Sequence, residues 1–251
     1  MSQTATENRQ PDADAAEKQP RQFVNFAFYK LDPEFRRRFA IEARAEAVDE
    51  LASVIEAGRL RYLIYPYSTL GIRAETDLLL WRISYRLEDF EETSAAMLRT
   101  SMGQYLSTPY SFLSMTKTSI YVDDHIHDDQ EGTRNKIVIS GRKYLFVYPF
   151  VKTRQWYVLP KEERMRIMKQ HILLGHEFPS VKLNTTYAFG LDDQDFVVAF
   201  ESNHPEDFVD LVQQLRETES SLFTQRDTPI ITCMSQDLRV TLSRIAGVEP
   251  K

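Results

Sequence analysis

The feature that most constrains the fold of this chain is an internal repeat. Two segments, DLLLWRISYRLEDF at 77–90 and DFVVAFESNHPEDF at 195–208, align without gaps at an offset of 118 positions. Five positions are identical, and the same order of predicted strands and helices surrounds both segments. The repeat therefore indicates a duplicated α+β module.

Alternation of apolar residues and the helix-start signals predict the same element order in each half. In the first half the helix begins at Asp32, where an N-cap carboxylate precedes Pro33, and Gly58 is expected to end it. The predicted strands are 23–30, 61–66, 77–85, 143–150, 180–189, 195–200 and 229–234, the last closing the chain. The predicted helices are 32–57, 87–105, 160–174 and 205–223.

Two such halves each offer one antiparallel sheet with helices on one face. We expect the sheets to pack face to face or to curl into a barrel with the helices outside. The predicted divisions are a disordered N-terminal tail (1–21), an N-terminal half (22–106), a linker or lid segment (107–142) and a C-terminal half (143–251). The tail has no Val, Ile, Leu, Phe, Tyr or Trp up to residue 20, so it cannot bury enough apolar surface to offset its chain entropy.

Charge and composition exclude several classes of function. The net charge of −6 disfavours a general nucleic-acid binder, because phosphate recognition needs a basic face. A single cysteine, Cys233, allows neither an intrachain disulfide nor a cysteine-based zinc cluster. No apolar run is long enough for a membrane span, and the N-terminus lacks the pattern of a secretory signal. We therefore expect a soluble, cytoplasmic protein.

His171 is the first candidate for chemistry. On the predicted helix its neighbours one turn away are Ile167, Met168 and Gly175, so it projects from an apolar stripe. One interpretation is a half-buried core histidine. The other is an axial ligand of a haem iron, because a neutral imidazole in an apolar wall suits that role.

Tyr148 and Lys152 lie on the predicted strand just before this helix, in YPFVK. A strand aromatic before an edge proline is a common structural feature, and a lysine at the end of a strand is commonly solvated. The same two side chains also offer an oxidisable phenol and a partner for a carboxylate.

These motifs give the chain a resemblance to a known family. Tyr-Pro-x-x-Lys at 148–152, His-x-x-x-Gly at 171–175 and Asn184, thirteen residues after His171, resemble the C-terminal half of the chlorite dismutase-like haem proteins. The similarity is greatest to the coproheme decarboxylase branch. The segments FVNFAFYKLDPEFRR, DLLLWRISY and YSFLSMTKTSIYV extend the resemblance over roughly 22–235. It implies duplicated ferredoxin-like modules forming a dimeric α/β-barrel-type domain, and a homopentamer.

The resemblance also implies roles for individual residues. His171 would ligate the iron, Tyr148 would be the oxidised catalytic group, and Lys152 would lie near a propionate. Asn184 would be on the distal side, where an arginine is typical of chlorite dismutases and a glutamine of one group of decarboxylases. Two further candidates, Arg134 and Ser221, match propionate-binding positions, although surface roles fit them nearly as well.

His125 and His127 form an H-x-H pair among acidic residues. They are consistent with a solvated loop, with a metal site, or with a distal base that accepts a proton from peroxide. Of these three interpretations, the solvated loop is favoured.

The function implied by the resemblance is the decarboxylation of two propionates of iron-coproporphyrin III (coproheme) to give haem b, with hydrogen peroxide as the oxidant. Removing CO₂ from a propionate requires hydrogen abstraction from an unactivated carbon, which an oxidised tyrosine can perform. A chlorite dismutase or peroxidase of the same fold and a haem-binding protein without turnover remain as alternatives. The expected partners are coproheme and peroxide, with no nucleic acid and no membrane.

Overall fold

A computed structural model describes residues 20–118 and 136–250 of the chain. In chain order its strands are β1 (Phe23–Leu31), β2 (Leu63–Ser68), β3 (Leu78–Ser84), β4 (Leu106–Met115), β5 (Tyr144–Lys152), β6 (Val181–Tyr187), β7 (Phe196–Ser202), β8 (Thr224–Arg226) and β9 (Ile231–Ser235). Its α-helices are α1 (Pro33–Arg38), α2 (Ile41–Arg59), α3 (Glu88–Leu98), α4 (Arg154–Val158), α5 (Lys161–His176), α6 (Pro205–Arg216) and α7 (Leu238–Ala246). Two short 3-10 helices cover Gly103–Tyr105 and Glu219–Phe223.

Eight of the described strands close into an antiparallel barrel in the order β1-β3-β2-β9-β5-β7-β6-β4. The N-terminal half contributes β4-β1-β3-β2 and the C-terminal half contributes β9-β5-β7-β6, which is the same order of equivalent strands. The halves meet at two short seams, β2–β9 and β4–β6. The predicted fold class, two ferredoxin-like modules forming one dimeric α/β-barrel-type domain, is confirmed.

The repeated residues make equivalent hydrogen bonds in the two halves. Asp77 accepts a hydrogen bond from the Leu31 amide through Oδ2 at 3.1 Å, and Asp195 accepts one from the Lys152 amide at 2.8 Å. Each aspartate therefore ties the start of β3 or β7 to the end of β1 or β5. These matching contacts show that the repeat reflects a duplicated structure.

The sheet separates two environments, since successive side chains of a strand point to opposite faces. Inside the barrel, a core includes Phe26, Trp81, Val147 and Ala199. Outside it, helices cover a second core on the N-terminal half and a third on the C-terminal half. The outer face of the C-terminal half carries Tyr148.

Two details of the N-terminal helix differ from the prediction. The helix is broken, because Phe39 and Ala40 are extended, and this lets the Phe35 and Phe39 rings pack against Tyr105. Gly58 lies inside α2 and does not end it. A Cβ on Gly58 would lie 3.0 Å from Ile64 and 3.1 Å from Thr93, so the glycine permits close packing of the helix on the sheet.

Four further elements were not predicted, namely β4, α4, β8 and α7. Residues assigned to the start of the linker or lid segment 107–142 belong to β4, which pairs with β1 through Met115. After β9 the chain does not end but forms α7, capped by Asp237, and this helix packs on α2 of the other half. Its apolar residues Leu238, Leu242 and Ile245 follow helical spacing, a signal that was present in the sequence.

The predicted disordered tail lies outside the described residues up to position 19, as do residues 119–135 of the predicted lid segment. Across the ranges 20–118 and 136–250, none of the helices combines the length and apolar character needed to cross a membrane.

Candidate functional site

His171 lies on α5, and its ring is held by the segment that follows α6. Ser220 Oγ lies 3.0 Å from His171 Nδ1, and Ser220 itself is buried within the 3-10 helix. This contact occupies Nδ1 and leaves Nε2 as the ring nitrogen available to a metal. A fixed hydrogen bond on one nitrogen is also how proteins orient a histidine that binds metal through the other.

The environment of His171 keeps its ring neutral. Burial lowers the pKa of His171 to about 4, and the positive charge of Lys152 contributes to this lowering. The neutral imidazole is the form that can donate a lone pair to a metal. His171 is therefore ready to act as a ligand throughout the neutral pH range.

Lys152 is buried beside His171 and not solvated. Its Nζ donates a hydrogen bond to the Ser220 carbonyl at 2.8 Å and lies 4.6 Å from the centre of the Trp156 ring. Burial lowers the pKa of Lys152 to about 8. The interpretation as a solvated strand-end lysine is wrong, because only 8% of the residue is exposed.

We expect Lys152→Gln to raise the pKa of His171, because the substitution removes a positive charge that disfavours the imidazolium. Glutamine can still donate to the Ser220 carbonyl, so the local structure should persist. NMR titration of the histidine ring in the porphyrin-free protein measures the change. Lys169→Gln, at an exposed position on the same helix, is the control, and an equal shift in both variants would contradict the expectation.

The lowered pKa of His171 also makes the folded state less stable in acid. In the folded state the pKa of His171 lies near 4, below the ordinary value of 6.5, so the unfolded chain binds more protons between these two values. The free energy of unfolding is therefore not reduced by His171 above pH 6.5, and it decreases as the pH falls from 6.5 towards 4.

Tyr148 lies on the outer face of β5, the face that also carries Lys152. Its ring packs 6.0 Å from that of Phe200, and burial raises the pKa of its phenol well above the ordinary value, with the charge of Asp227 adding to the effect. The phenol therefore keeps its proton.

Asn184 lies on the opposite face of the sheet from Tyr148, so its contacts do not support its predicted role in binding substrate. It pairs across strands with Ala199 of the inner core, and its Nδ2 donates to Glu201 Oε1 at 2.9 Å. Glu201 is fully buried inside the barrel. Asn184 therefore stabilises a buried carboxylate and cannot contact a ligand on the Tyr148 face while the strand keeps this register.

The residues of β6 that share the face of Tyr148 are Leu183 and Thr185. Leu183 pairs with Phe200 and Thr185 with Val198, both members of the outer core. Leu183 is 49% exposed, so its apolar side chain is open to a ligand. Neither residue carries a charge.

We expect Asn184→Ala to destabilise the fold by about 1–3 kcal/mol, because it leaves a buried carboxylate without one partner. Porphyrin affinity should stay unchanged. Urea unfolding and a porphyrin titration measure the two quantities, with Gln104→Ala, at an exposed position of the N-terminal half, as the control. Weaker porphyrin binding at unaltered stability would instead place Asn184 on the ligand face.

Ser221 also has a different position from the predicted one. Its hydroxyl donates to the Arg216 and Thr218 carbonyls, both at 2.8 Å, and so closes the end of α6. The adjacent Ser220 is the residue that contacts His171. The predicted role of Ser221 in binding a propionate is therefore not supported by its contacts.

The remaining predicted candidates Arg134, His125 and His127 lie outside the described residues. Within 20–118 and 136–250 no group of three or more His, Cys, Asp or Glu side chains is arranged to hold a metal ion. An axial ligand of a porphyrin iron is a single side chain, and His171 is the candidate for that role.

Comparison with known proteins bears on this geometry. The model of a family described as chlorite dismutase matches residues 44–236, which is more than half of the chain. The chain belongs to the chlorite dismutase family. It is 29% identical over 194 residues to the coproheme decarboxylase of Mycolicibacterium smegmatis, covering 76% of this chain and 81% of that protein.

Two other similar proteins differ in what their names describe. The chlorite dismutase of Ideonella dechloratans is 27% identical over 210 residues, which cover 82% of this chain and 73% of that protein. The solved structure of a haem-binding protein from Thermus thermophilus superimposes with a TM-score of 0.79 at 25% identity, covering 90% and 95% of the two chains. Both curated relatives are named as enzymes, and their names divide between two reactions.

The site residues that the sequence did not reveal in this family member are Ser220, Leu183 and Thr185. Ser220 precedes the predicted residue Ser221, and Leu183 and Thr185 lie on either side of the predicted residue Asn184. Strand alternation around Asn184 and the two consecutive serines at 220–221 were the available signals. Membership of the family was evident from the sequence, whereas the orientation of single side chains was not.

Proposed function

We propose that this protein is a coproheme decarboxylase. It would remove CO₂ from two propionates of iron-coproporphyrin III, using hydrogen peroxide, to give haem b in the last step of coproporphyrin-dependent haem synthesis. The single observation that carries the proposal is that a neutral imidazole, His171, and a protonated phenol, Tyr148, belong to the outer side of the same half. The name of the Mycolicibacterium smegmatis relative supports it.

The residues fit an iron porphyrin. His171 has Nδ1 held by Ser220, which leaves Nε2 for the iron. Exposed apolar side chains, including Leu173 and Leu183, offer surface to a flat apolar ring. We propose that Lys152 acts through His171, because its ammonium contacts Ser220 and its charge favours the neutral imidazole.

The bound iron would supply the reaction with peroxide, and the protein would supply position and a hydrogen acceptor. For each propionate, the balanced change is propionic acid plus H₂O₂ giving a vinyl group, CO₂ and two waters. One C–H bond and the bond to the carboxyl carbon break. Tyr148 is the residue proposed to abstract the hydrogen atom, because its oxidised form regains the O–H bond in doing so.

The burial of Tyr148 serves this role. Since the phenol keeps its proton, oxidation must remove a proton together with an electron, and the product is a neutral radical surrounded by Phe200 and the rest of the outer core. Packing against apolar residues keeps water away and fixes the ring.

The test of the proposed function is to mix the purified protein with iron coproporphyrin III, titrate hydrogen peroxide, and follow the mass of the porphyrin. Two successive losses, each of CO₂ and two hydrogens, are expected. Porphyrin that binds but keeps its mass would contradict the proposal and favour a haem-binding protein without turnover. Iron coproporphyrin that fails to bind would reject the proposal at the first step.

We expect slow or undetectable release of oxygen from chlorite. The strand neighbours on the Tyr148 face, Leu183 and Thr185, are uncharged, so β6 provides no cation for an oxyanion there. An oxygen electrode measures the rate, with a dedicated chlorite dismutase as the standard. A comparable rate would instead favour the activity named for the Ideonella dechloratans relative. By resemblance we also propose a homopentamer.

A further inference from the structure

A second polar site lies in the N-terminal half, on the outer face of the sheet and beneath α3. Arg82 on β3 is only 5% exposed, and it borders a cavity of about 220 Å³. Thr108 and Ser111 of β4 lie at the exposed side of this cavity. The volume equals that of roughly seven water molecules, enough for a short organic acid.

The buried guanidinium of Arg82 has no anionic partner among the residues that the structure describes. Among residues 20–118 and 136–250 no carboxylate lies within ion-pair distance of it. Its contacts are neutral: Nε and Nη2 donate to Asn25 Oδ1 at 3.1 and 2.7 Å, and Nη1 donates to Ser94 Oγ at 2.8 Å and to the Phe90 carbonyl at 3.2 Å. These bonds use four of the five N–H groups of the guanidinium. The Tyr62 hydroxyl is also close to Arg82, whose positive charge opposes the burial that raises the pKa of Tyr62.

The duplicated half shows that the fold does not require this charge. The positions equivalent to Arg82 and Asn25 are Phe200 and Phe146, which pack in the apolar core of the C-terminal half. Burying a charge without a counter-ion is costly, and two phenylalanines serve the same module without that cost. A ligand that supplies a negative charge would offset the cost of burying Arg82.

The walls of the cavity restrict the class of ligand. Ala27, Met97 and Leu98 are apolar, whereas Arg82 and the Ser94 and Ser111 hydroxyls are polar groups. Asn25 Nδ2 donates to Ser111 Oγ at 3.0 Å, so the Ser111 hydroxyl can donate in turn. We propose that this cavity binds a small monocarboxylate, with its carboxylate on Arg82 and a short apolar tail against Met97 and Leu98.

The experiment uses butyrate as the probe and butyramide as its neutral match, added to the full-length protein at constant ionic strength. Saturation-transfer NMR of the probe measures binding. We expect saturable binding of butyrate. Butyramide should bind at least about tenfold more weakly, because it cannot form the charged hydrogen bond to Arg82. Equal binding of the two probes, or no saturable binding of butyrate, would overturn the proposal.

Variants locate the binding. Arg82→Gln should weaken butyrate binding about tenfold or more, while Arg86→Gln, which removes an exposed guanidinium four residues away, should not. If Arg82→Gln does not fold, Ser111→Leu blocks the cavity from an exposed position and should have the same effect. Undiminished butyrate binding in Arg82→Gln, or in Ser111→Leu if Arg82→Gln does not fold, overturns the proposal.

Two other outcomes would also reject it. Loss of butyrate binding in Lys152→Gln would place the carboxylate near His171 and not at Arg82. A change of oligomeric state in Arg82→Gln by sedimentation velocity, with no butyrate binding to the unaltered protein, would mean that another copy of this chain supplies the carboxylate.

Discussion

Replacing His171 with alanine is expected to abolish axial ligation of the iron in bound coproheme. The neutral ring is held through Nδ1 by Ser220, which leaves Nε2 for the iron. Because the axial ligand sets the electronic state of the iron, the ferric absorption spectrum should change, and affinity should fall about tenfold or more.

The decisive control is the addition of imidazole to His171→Ala. A free imidazole can enter the space left by the side chain, and it should restore the original spectrum. His176→Ala, on the same helix at an exposed position, should leave the spectrum and the affinity unchanged. A His171→Ala protein with the original spectrum and affinity would show that His171 is only a core residue.

Replacing Tyr148 with phenylalanine is expected to stop haem b formation while coproheme still binds. Phenylalanine preserves the ring that packs on Phe200, so the fold and the outer core should persist. Only the O–H group is lost, and it is the group proposed to transfer the hydrogen atom. A role confined to the transition state predicts a loss of rate without a loss of affinity.

The measurement is haem b formation by the Tyr148→Phe protein loaded with coproheme and given excess peroxide. Tyr144→Phe is the matched control, since Tyr144 lies on the same strand and packs against the same outer core. It should retain near wild-type turnover. If Tyr148→Phe also does so, Tyr148 serves only packing, and the proposed mechanism fails even if the protein is a decarboxylase.

Much of the fold was predictable because the sequence contains the same module twice. The matches between 77–90 and 195–208 identified the module, and alternation of apolar residues located its central strands. The structure bears this out in detail: Asp77 and Asp195 hold equivalent strand ends. The break between α1 and α2 was not predictable in this way, since it depends on the packing of Phe39 against Tyr105, which is distant in sequence.

The candidate site was predictable at the level of elements and not at the level of single side chains. Asn184 and Ser221 were each one residue away from the side chains that lie on the relevant surface or contact His171, namely Leu183 and Ser220. The twelve positions between His171 and Asn184 cross the end of α5 and an irregular turn. The direction in which His171 points from the helix therefore does not determine which face of the next strand carries Asn184.

The sequence by itself determined that the chain is a duplicated α+β protein of the chlorite dismutase type, and that Tyr148 and His171 lie in neighbouring elements. Local periodicity and repetition carry that information. Only the tertiary structure decided which face of β6 receives a ligand and what surrounds His171. Those facts depend on strand register and on contacts such as Ser220 with His171, 49 positions apart. A one-residue change of register turns every side chain of a strand to the other face, and only the assembled barrel fixes it.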